Sequence, residues 1–260
     1  MLPRRLVMVP EEIVSRTNVN VAHAHARKLA CGCGGTQTES MVHTAALLAG
    51  GKSTRMRQDK ATLVIDGKQL WERQLDLLRT TNPAELLISG RSDGPYAVSA
   101  VRIVPDLHAD LGPLGGIATL LNACASEWLL VLAVDLPAMT ASFLAMLLQE
   151  VRRYACGVVP VLGPGMIEPL AAVYPKAGVA VAERQLAARR FKLADFIEEL
   201  ERASLMRRFT VRPQDMALFT NWNRPEDVDV PRAAQPTQPS SQESSPSPPA
   251  WPVKPRPRAQ

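Results

Sequence analysis

No stretch of the 260-residue chain approaches the ~18–20 consecutive apolar residues that a membrane-spanning helix requires. The start of the chain does not read as a secretory leader either. Arg4 and Arg5 are present, but Glu11 and Glu12 interrupt the next segment before an apolar core can form. These absences set the expectation of a soluble, cytoplasmic protein without a membrane role. Cysteine is scarce, with four in the chain, and without a secretory signal this argues against a disulfide framework. Cys124 and Cys156 stand in apolar surroundings and read as small buried hydrophobes. Cys31-Gly32-Cys33 follows His23 and His25, but one intervening residue fits structural zinc poorly, and an unstructured leader is the simpler reading.

The chain also lacks a recognisable Cys–His or Ser–His–Asp arrangement. His43 reads as part of a strand and His108 as part of a loop, neither with an implied partner, so covalent and general acid–base catalysis find little support. A net charge of +5 suggests nucleic acid at first sight, but its distribution argues against it. Residues 41–230 hold 21 Lys and Arg against 21 Asp and Glu, and the surplus lies outside them, +2 in residues 1–40 and +3 in residues 231–260. No basic face with interleaved aromatics appears in the middle of the chain, so nucleic acid is not an expected partner.

The organisation follows from composition. Residues 231–260 contain nine prolines among Ser, Gln and Arg, with almost nothing to bury, and read as a disordered or polyproline-like tail. Residues 1–40 sustain neither a period of 2 nor one of 3.6. Met41 stands directly before the first convincing strand, which suggests a biological start there and a disordered or non-native extension before it. Between them, apolar runs read as buried strands at Thr44–Leu48, Glu85–Ser89, Val101–Val104, Trp128–Val134 and Gly157–Leu162. Helical spacing appears at Leu70–Arg79, Leu114–Cys124, Ala141–Val151, Ala177–Arg190 and Leu193–Ala203, and Asp66-Gly67-Lys68 reads as a tight reversal. The sum is an α/β domain over residues 41–230, a three-layer, doubly wound, Rossmann-like α/β/α sandwich on a mostly parallel sheet.

In such a sheet ligands bind beyond the carboxyl ends of the strands, and four features fall at expected strand ends. The first is LAGGKSTRMRQDKA, Leu48 to Ala61. Its Gly51-Lys52-Ser53 imitates a P-loop, but the first glycine of that loop would fall at Ala46, inside the strand, so the reading fails on geometry. What remains is a strand ending in Gly50-Gly51, where backbone amides can approach a phosphate, followed by the cations Lys52, Arg55, Arg57 and Lys60. The second is Pro105-Asp106, followed by Gly112-Pro113-Leu114-Gly115-Gly116 at a helix start suited to an anion. The third is Asp135, directly after seven apolar residues and before Leu136-Pro137. Its carboxylate is an oxygen ligand suited to Mg²⁺, with Thr140 left to cap the next helix. The fourth comprises Glu168-Pro169-Leu170 and, further on, Asn221-Trp222-Asn223-Arg224-Pro225-Glu226-Asp227. There the amides of Asn221 and Asn223 flank a tryptophan and suit either a heteroaromatic ligand or a simple helix cap. Cations, a metal ligand and positioning groups without a nucleophile match the needs of phosphoryl-type transfer.

These motifs, in this order, resemble the MobA-like nucleotidyltransferase family and, within it, the molybdenum cofactor guanylyltransferases. The opening signature LAGGxSxRMGxDKA is matched by Leu48–Ala61 except at Arg57, which stands where family members carry glycine. The resemblance covers about residues 44–230. It implies transfer of GMP from GTP to the terminal phosphate of Mo-loaded molybdopterin, with pyrophosphate released and Mg²⁺ as cofactor. It places Leu48, Ala49, Gly50 and Gly51 around the nucleotide, Lys60 on the phosphates, Asp106 on the nucleoside and Asp135 on the metal. Arg55, Lys60 and Asp135 would carry catalysis, Asn221 and Asn223 would face the pterin, and proteins of molybdoenzyme maturation would be partners. Open alternatives are another nucleotidyltransferase, for molybdopterin cytidylyl or sugar-phosphate transfer, and a catalytically silent nucleotide-binding accessory.

Overall fold

The structure is a computed structural model that describes residues 41–49, 60–106 and 111–220. The readings of residues 1–40 and 231–260 lie outside the described residues.

The elements run β1 (Thr44–Leu48), the ribbon β2 (Val64–Ile65) and β3 (Lys68–Gln69), α1 (Leu70–Arg79), β4 (Glu85–Ser89) and β5 (Arg102–Val104). Then come α2 (Gly112–Ala123), β6 (Trp128–Ala133), α3 (Ala141–Tyr154), β7 (Gly157–Gly163), β8 (Met166–Ile167) and β9 (Ala171–Pro175). The described part closes with α4 (Val179–Ala187), α5 (Leu193–Arg202) and β10 (Met206–Thr210), before a 3₁₀ segment at Pro213–Phe219.

The main sheet has the order β10-β7-β9-β6-β1-β4-β5, with β8 hairpinned onto β7. Parallel pairs join β1 to β4 and β6, β4 to β5, and β7 to β10, while β9 runs antiparallel to both β6 and β7. Strand β1 is buried throughout because its period-2 side chains feed two different cores. Ala45 and Leu47 pack with Leu70, Leu75 and Leu78 of α1 and with Phe143 and Leu147 of α3. Ala46 and Leu48 pack with Ile117 and Leu121 of α2 and with Phe196 and Leu200 of α5. The expected three layers are therefore present.

Local chemistry sets the boundaries. Asp66 (φ 50°) and Gly67 (φ 78°) make the left-handed reversal of the β2–β3 ribbon, as their side chains tolerate. Glu72 accepts the Gln69 N–H at 2.9 Å where α1 begins, and Thr140 Oγ1 accepts the Phe143 N–H at 3.3 Å at the start of α3.

Four expectations need correction. His43 lies just before β1 rather than within it. The helix expected over Ala177–Arg190 is shorter: a 3₁₀ turn, Lys176–Gly178, precedes α4, and Arg189 in the left-handed region (φ 57°) lies beyond its end. Cys156 is half-buried, because it lies in the turn that follows left-handed Ala155, whereas Cys124 is buried. Strands β8, β9 and β10 are additions to the strands expected from the sequence.

Candidate active site

Strand order reverses at β1: the chain moves from β1 outward to β4 and β5, then returns to place β6 on the other side. Ligands of open α/β sheets bind at such a switch point. Backbone hydrogen bonds continue past the regular strands here and tie the carboxyl ends into one ledge. Ala49 N–H donates to Ser89 O at 3.0 Å, Val134 N–H to Leu48 O at 3.1 Å, Gly90 N–H to Val104 O at 3.3 Å and Ala133 N–H to Leu170 O at 2.8 Å. In sheet order, the ledge carries Asp106 after β5, Ser89 and Gly90 at β4, Leu48 and Ala49 at β1, Asp135 after β6 and Glu168 before β9. With neighbouring strands ~4.8 Å apart, this row spans roughly 19 Å.

Asp135 is placed from both sides. The Val134 N–H is held by Leu48 O, and Leu136 O accepts both the Met139 N–H at 3.2 Å and the Gln74 Nε2–H at 2.6 Å. Pro137 occupies the second position of that reversal, where its fixed φ is favoured.

Glu168 belongs to the same ledge for an unexpected reason. It follows the carboxyl end of none of the long parallel strands; it lies between the short hairpin strand β8 and β9, the reversed strand, which begins where its parallel neighbours finish. The β6–β9 register ends at Leu132–Ala171, the Ala133 N–H reaches on to Leu170 O, and beyond that both chains turn, leaving Asp135 near enough to Glu168 for its charge to act on that carboxyl. Burial raises the Glu168 carboxyl above the usual range, the Leu170 N–H donating to Oε1 at 3.0 Å draws it back, and the charge of Asp135 raises it again. Two carboxylates thus face one another's field at the switch point. Among the described residues no group of three or more His, Cys, Asp and Glu is placed to hold a metal ion.

At the other end of the ledge, Asp106 is exposed, and its Oδ1 accepts the hydroxyl of the buried Thr119 on α2 at 3.3 Å. Helix α2 opens as expected, with Gly112 at φ 69° and Pro113 in its first turn. Gly116 sits in close packing. A Cβ there would stand 3.0 Å from Leu48 Cδ2 and 3.4 Å from Ser89 Oγ, so its absence brings the helix start against the ends of β1 and β4. Gly90 answers the same need, since a Cβ would overlap the buried ring and hydroxyl of Tyr96.

Of the residues expected at the site, Leu48, Ala49, Asp106 and Asp135 lie on this one ledge. Lys60 opens a 3₁₀ turn, Lys60–Thr62, and its side chain is outside the described residues. Gly50, Gly51, Arg55, Arg57, Asn221 and Asn223 also lie outside them. Sequence reasoning passed over Gln74 and Thr119. Both are polar residues on otherwise apolar helix faces, and that mismatch was the available signal. Gln74 is completely buried and its Oε1 has no hydrogen-bond partner among the described residues, a condition that costs about 1–3 kcal/mol. A shallow hollow lined by Arg79, Asn82, Pro83, Leu86, Ala100, Val101 and Arg102 lies at the opposite edge, where β4 and β5 begin.

The fold recurs in solved structures. It is shared with molybdopterin-guanine dinucleotide biosynthesis protein A from Archaeoglobus fulgidus (TM-score 0.61, 22% identity, 71% of this chain and 94% of that one). It is shared also with 2-C-methyl-D-erythritol 4-phosphate cytidylyltransferase from Thermus thermophilus (TM-score 0.52, 16% identity, 70% of this chain and 94% of that one). Residues 45–203 match the MobA-like NTP transferase domain, and the chain belongs to that family of nucleotidyltransferases. It is 38% identical over 187 residues to a probable molybdenum cofactor guanylyltransferase from Opitutus terrae, covering 71% of this chain and 92% of the relative. It is 34% identical over 188 residues to a molybdenum cofactor guanylyltransferase from Xanthomonas euvesicatoria, covering 70% and 90%.

Proposed function

We propose that this protein transfers GMP from GTP to Mo-loaded molybdopterin, giving molybdopterin guanine dinucleotide and pyrophosphate. The observation that supports it most is Asp135 at the switch point, anchored beside Leu48 and Ala49 and within the electrostatic reach of Glu168. Two hard carboxylate oxygens fit Mg²⁺, which takes one or two carboxylates and completes its shell with phosphates and water. Asp135, with Glu168 beside it, would hold the ion. Mg²⁺ bound there would neutralise charge on the α-phosphate and on the departing pyrophosphate.

The rest is the work of this chain. The strand end from Leu48 through Gly51 borders the nucleotide, and Asp106, held by Thr119, meets the nucleoside at the far end of the ledge. Lys60 and Arg55 supply positive charge to the phosphates, and Asn221 and Asn223 face the pterin. An oxygen of the acceptor's terminal phosphate attacks the α-phosphorus in line. One P–O bond forms to the acceptor while the bond from the α-phosphorus to the β-phosphate oxygen breaks, and pyrophosphate leaves with that electron pair. No proton-transferring side chain is required, in keeping with a site rich in positioning groups. Among the described residues no helix is long and apolar enough to cross a membrane, and we place the reaction in the cytoplasm, with maturation proteins of molybdoenzymes receiving the product.

The test is pyrophosphate release with GTP, CTP or UTP and Mg²⁺, with and without molybdopterin. Release with GTP that depends on molybdopterin is expected. Release with CTP alone would assign a cytidylyltransferase instead, and GTP binding without product would make the protein an accessory.

A further inference from the structure

Gln74 stands on the buried face of α1 among Leu70, Trp71, Leu75 and Leu78, where helical spacing calls for an apolar side chain. It is fully buried, and its Nε2–H reaches across 62 residues of sequence to donate to Leu136 O at 2.6 Å. The carbonyl can only accept, so the nitrogen of the amide must face it. Leu136 O already accepts the Met139 N–H at 3.2 Å from its own turn, so the glutamine is not needed to satisfy it. The contact instead occupies the second lone pair and joins the turn to α1. It does so at a cost, since Oε1 is left buried with no partner among the described residues. An apolar side chain of the same length would fill the space without that penalty.

A locally unfavourable residue in a well-packed core commonly marks a functional constraint. The constraint here has an address. Asp135 lies between two anchored peptides, with the Val134 N–H on Leu48 O before it and Leu136 O on Gln74 after it. The first anchor fixes Asp135 relative to β1, the second relative to α1. We propose that Gln74 is a positioning residue that holds the Asp135 carboxylate in its cation-binding attitude by clamping the following peptide to α1. This rests on the reading of Asp135 as the ligand of Mg²⁺.

Groups one step removed from a metal typically contribute 10–100-fold to metal affinity or activity. Gln74→Met keeps length and volume and removes the donor. In the full chain, pyrophosphate release should then need about 10–100-fold more Mg²⁺ for half-saturation and recover when Mg²⁺ is raised. The Mg²⁺-dependent rise in melting temperature with GTP present, which needs no turnover, should shift to higher Mg²⁺ in parallel. Melting without Mg²⁺ should be unchanged or higher. A Gln74→Met protein with the wild-type Mg²⁺ response overturns the proposal, as does a loss of rate that Mg²⁺ does not restore. Failure of both Gln74→Met and Gln74→Leu to fold also overturns it, because the amide then serves the core. Asp135→Asn, measured alongside, separates the two layers of the argument. If it retains the wild-type Mg²⁺ dependence, the reading of Asp135 falls and the role of Gln74 with it. If it loses that dependence while Gln74→Met does not, only the role of Gln74 falls.

Discussion

Thr119 Oγ1 lies 3.3 Å from Asp106 Oδ1, a bond from a completely buried hydroxyl on α2 to an exposed carboxylate beyond β5. It limits the directions Asp106 can take, and Asp106 is the acidic group that the proposed reaction assigns to the nucleoside. Thr119→Val preserves the shape of the side chain and removes the donor. A bond of this length to a solvated carboxylate is worth about 1 kcal/mol, or ~5-fold. The Michaelis constant for GTP should rise by about that factor, with kcat within about twofold. An unchanged constant in a folded variant would show that Asp106 needs no such support.

Asp135 and Glu168 give a second expectation, with opposite signs for stability and activity. Burial and the nearby charge of Asp135 make the ionised Glu168 unfavourable unless a cation lies between them. Glu168→Gln should therefore melt higher than wild type near pH 7.5 without Mg²⁺. The same variant should need roughly 10–100-fold more Mg²⁺ for pyrophosphate release. Higher stability together with an unaltered Mg²⁺ curve would remove Glu168 from the cation site.

How much of this was legible depends on where each residue sits. The ends of β1, β4 and α1 coincide with those read from the sequence. The two strands occupy the middle of a covered sheet and so form continuous apolar runs, and the α1 stripe is regular apart from Gln74. Edge strand β10, Met-Arg-Arg-Phe-Thr, has one face in solvent and no continuous run to reveal it. Strand β9, Ala-Ala-Val-Tyr-Pro, is buried throughout, but it ends in proline and lies close behind Pro169, so propensity undervalues it. Its reversed direction is not written in composition at all. That reversal brings Glu168 to the ledge, so the residue was noticed while its relation to Asp135 was not. The contacts made by Gln74 and Thr119 are long-range, and only the fold discloses which carboxylate-bearing segment each one supports.

Gln185 offers a contrast with Gln74. It is likewise completely buried, on α4 at the other face of the sheet, and both Oε1 and Nε2 lack partners among the described residues. Among the described residues no hydrogen bond links its side chain to the ledge. Replacing such an amide by an apolar side chain of equal length removes a desolvation penalty of about 1–3 kcal/mol. Gln185→Met should raise the melting temperature by a few degrees and leave the Mg²⁺ and GTP dependence of pyrophosphate release as in wild type. A variant that melts lower would mean that the amide has a role in packing that its lack of hydrogen bonds conceals.

His43 carries the expectation for acid. The imidazole is buried just before β1, with Nδ1 3.1 Å from Met41 O and Nε2 3.0 Å from Thr81 Oγ1. The bond to the Met41 carbonyl favours the cation, but burial disfavours it more strongly, and the ring's pKa falls below the ordinary 6.5. In the window just under 6.5 the unfolded chain therefore binds a proton that the folded chain refuses. Stability rises with pH wherever the unfolded state holds more protons, so this contribution is intact above that value and is lost as the pH falls through it. Glu168, with its carboxyl raised, pulls in the opposite direction as acid is added, so the net slope of the wild type mixes the two. Comparing variants isolates the histidine. Between pH 7.5 and pH 5.5, His43→Gln should lose less melting temperature than wild type, because its side chain does not titrate. Equal losses would mean that His43 is protonated in the fold, with Nε2–H donating to Thr81 and the hydroxyl of Thr81 turned to Leu78 O at 2.8 Å.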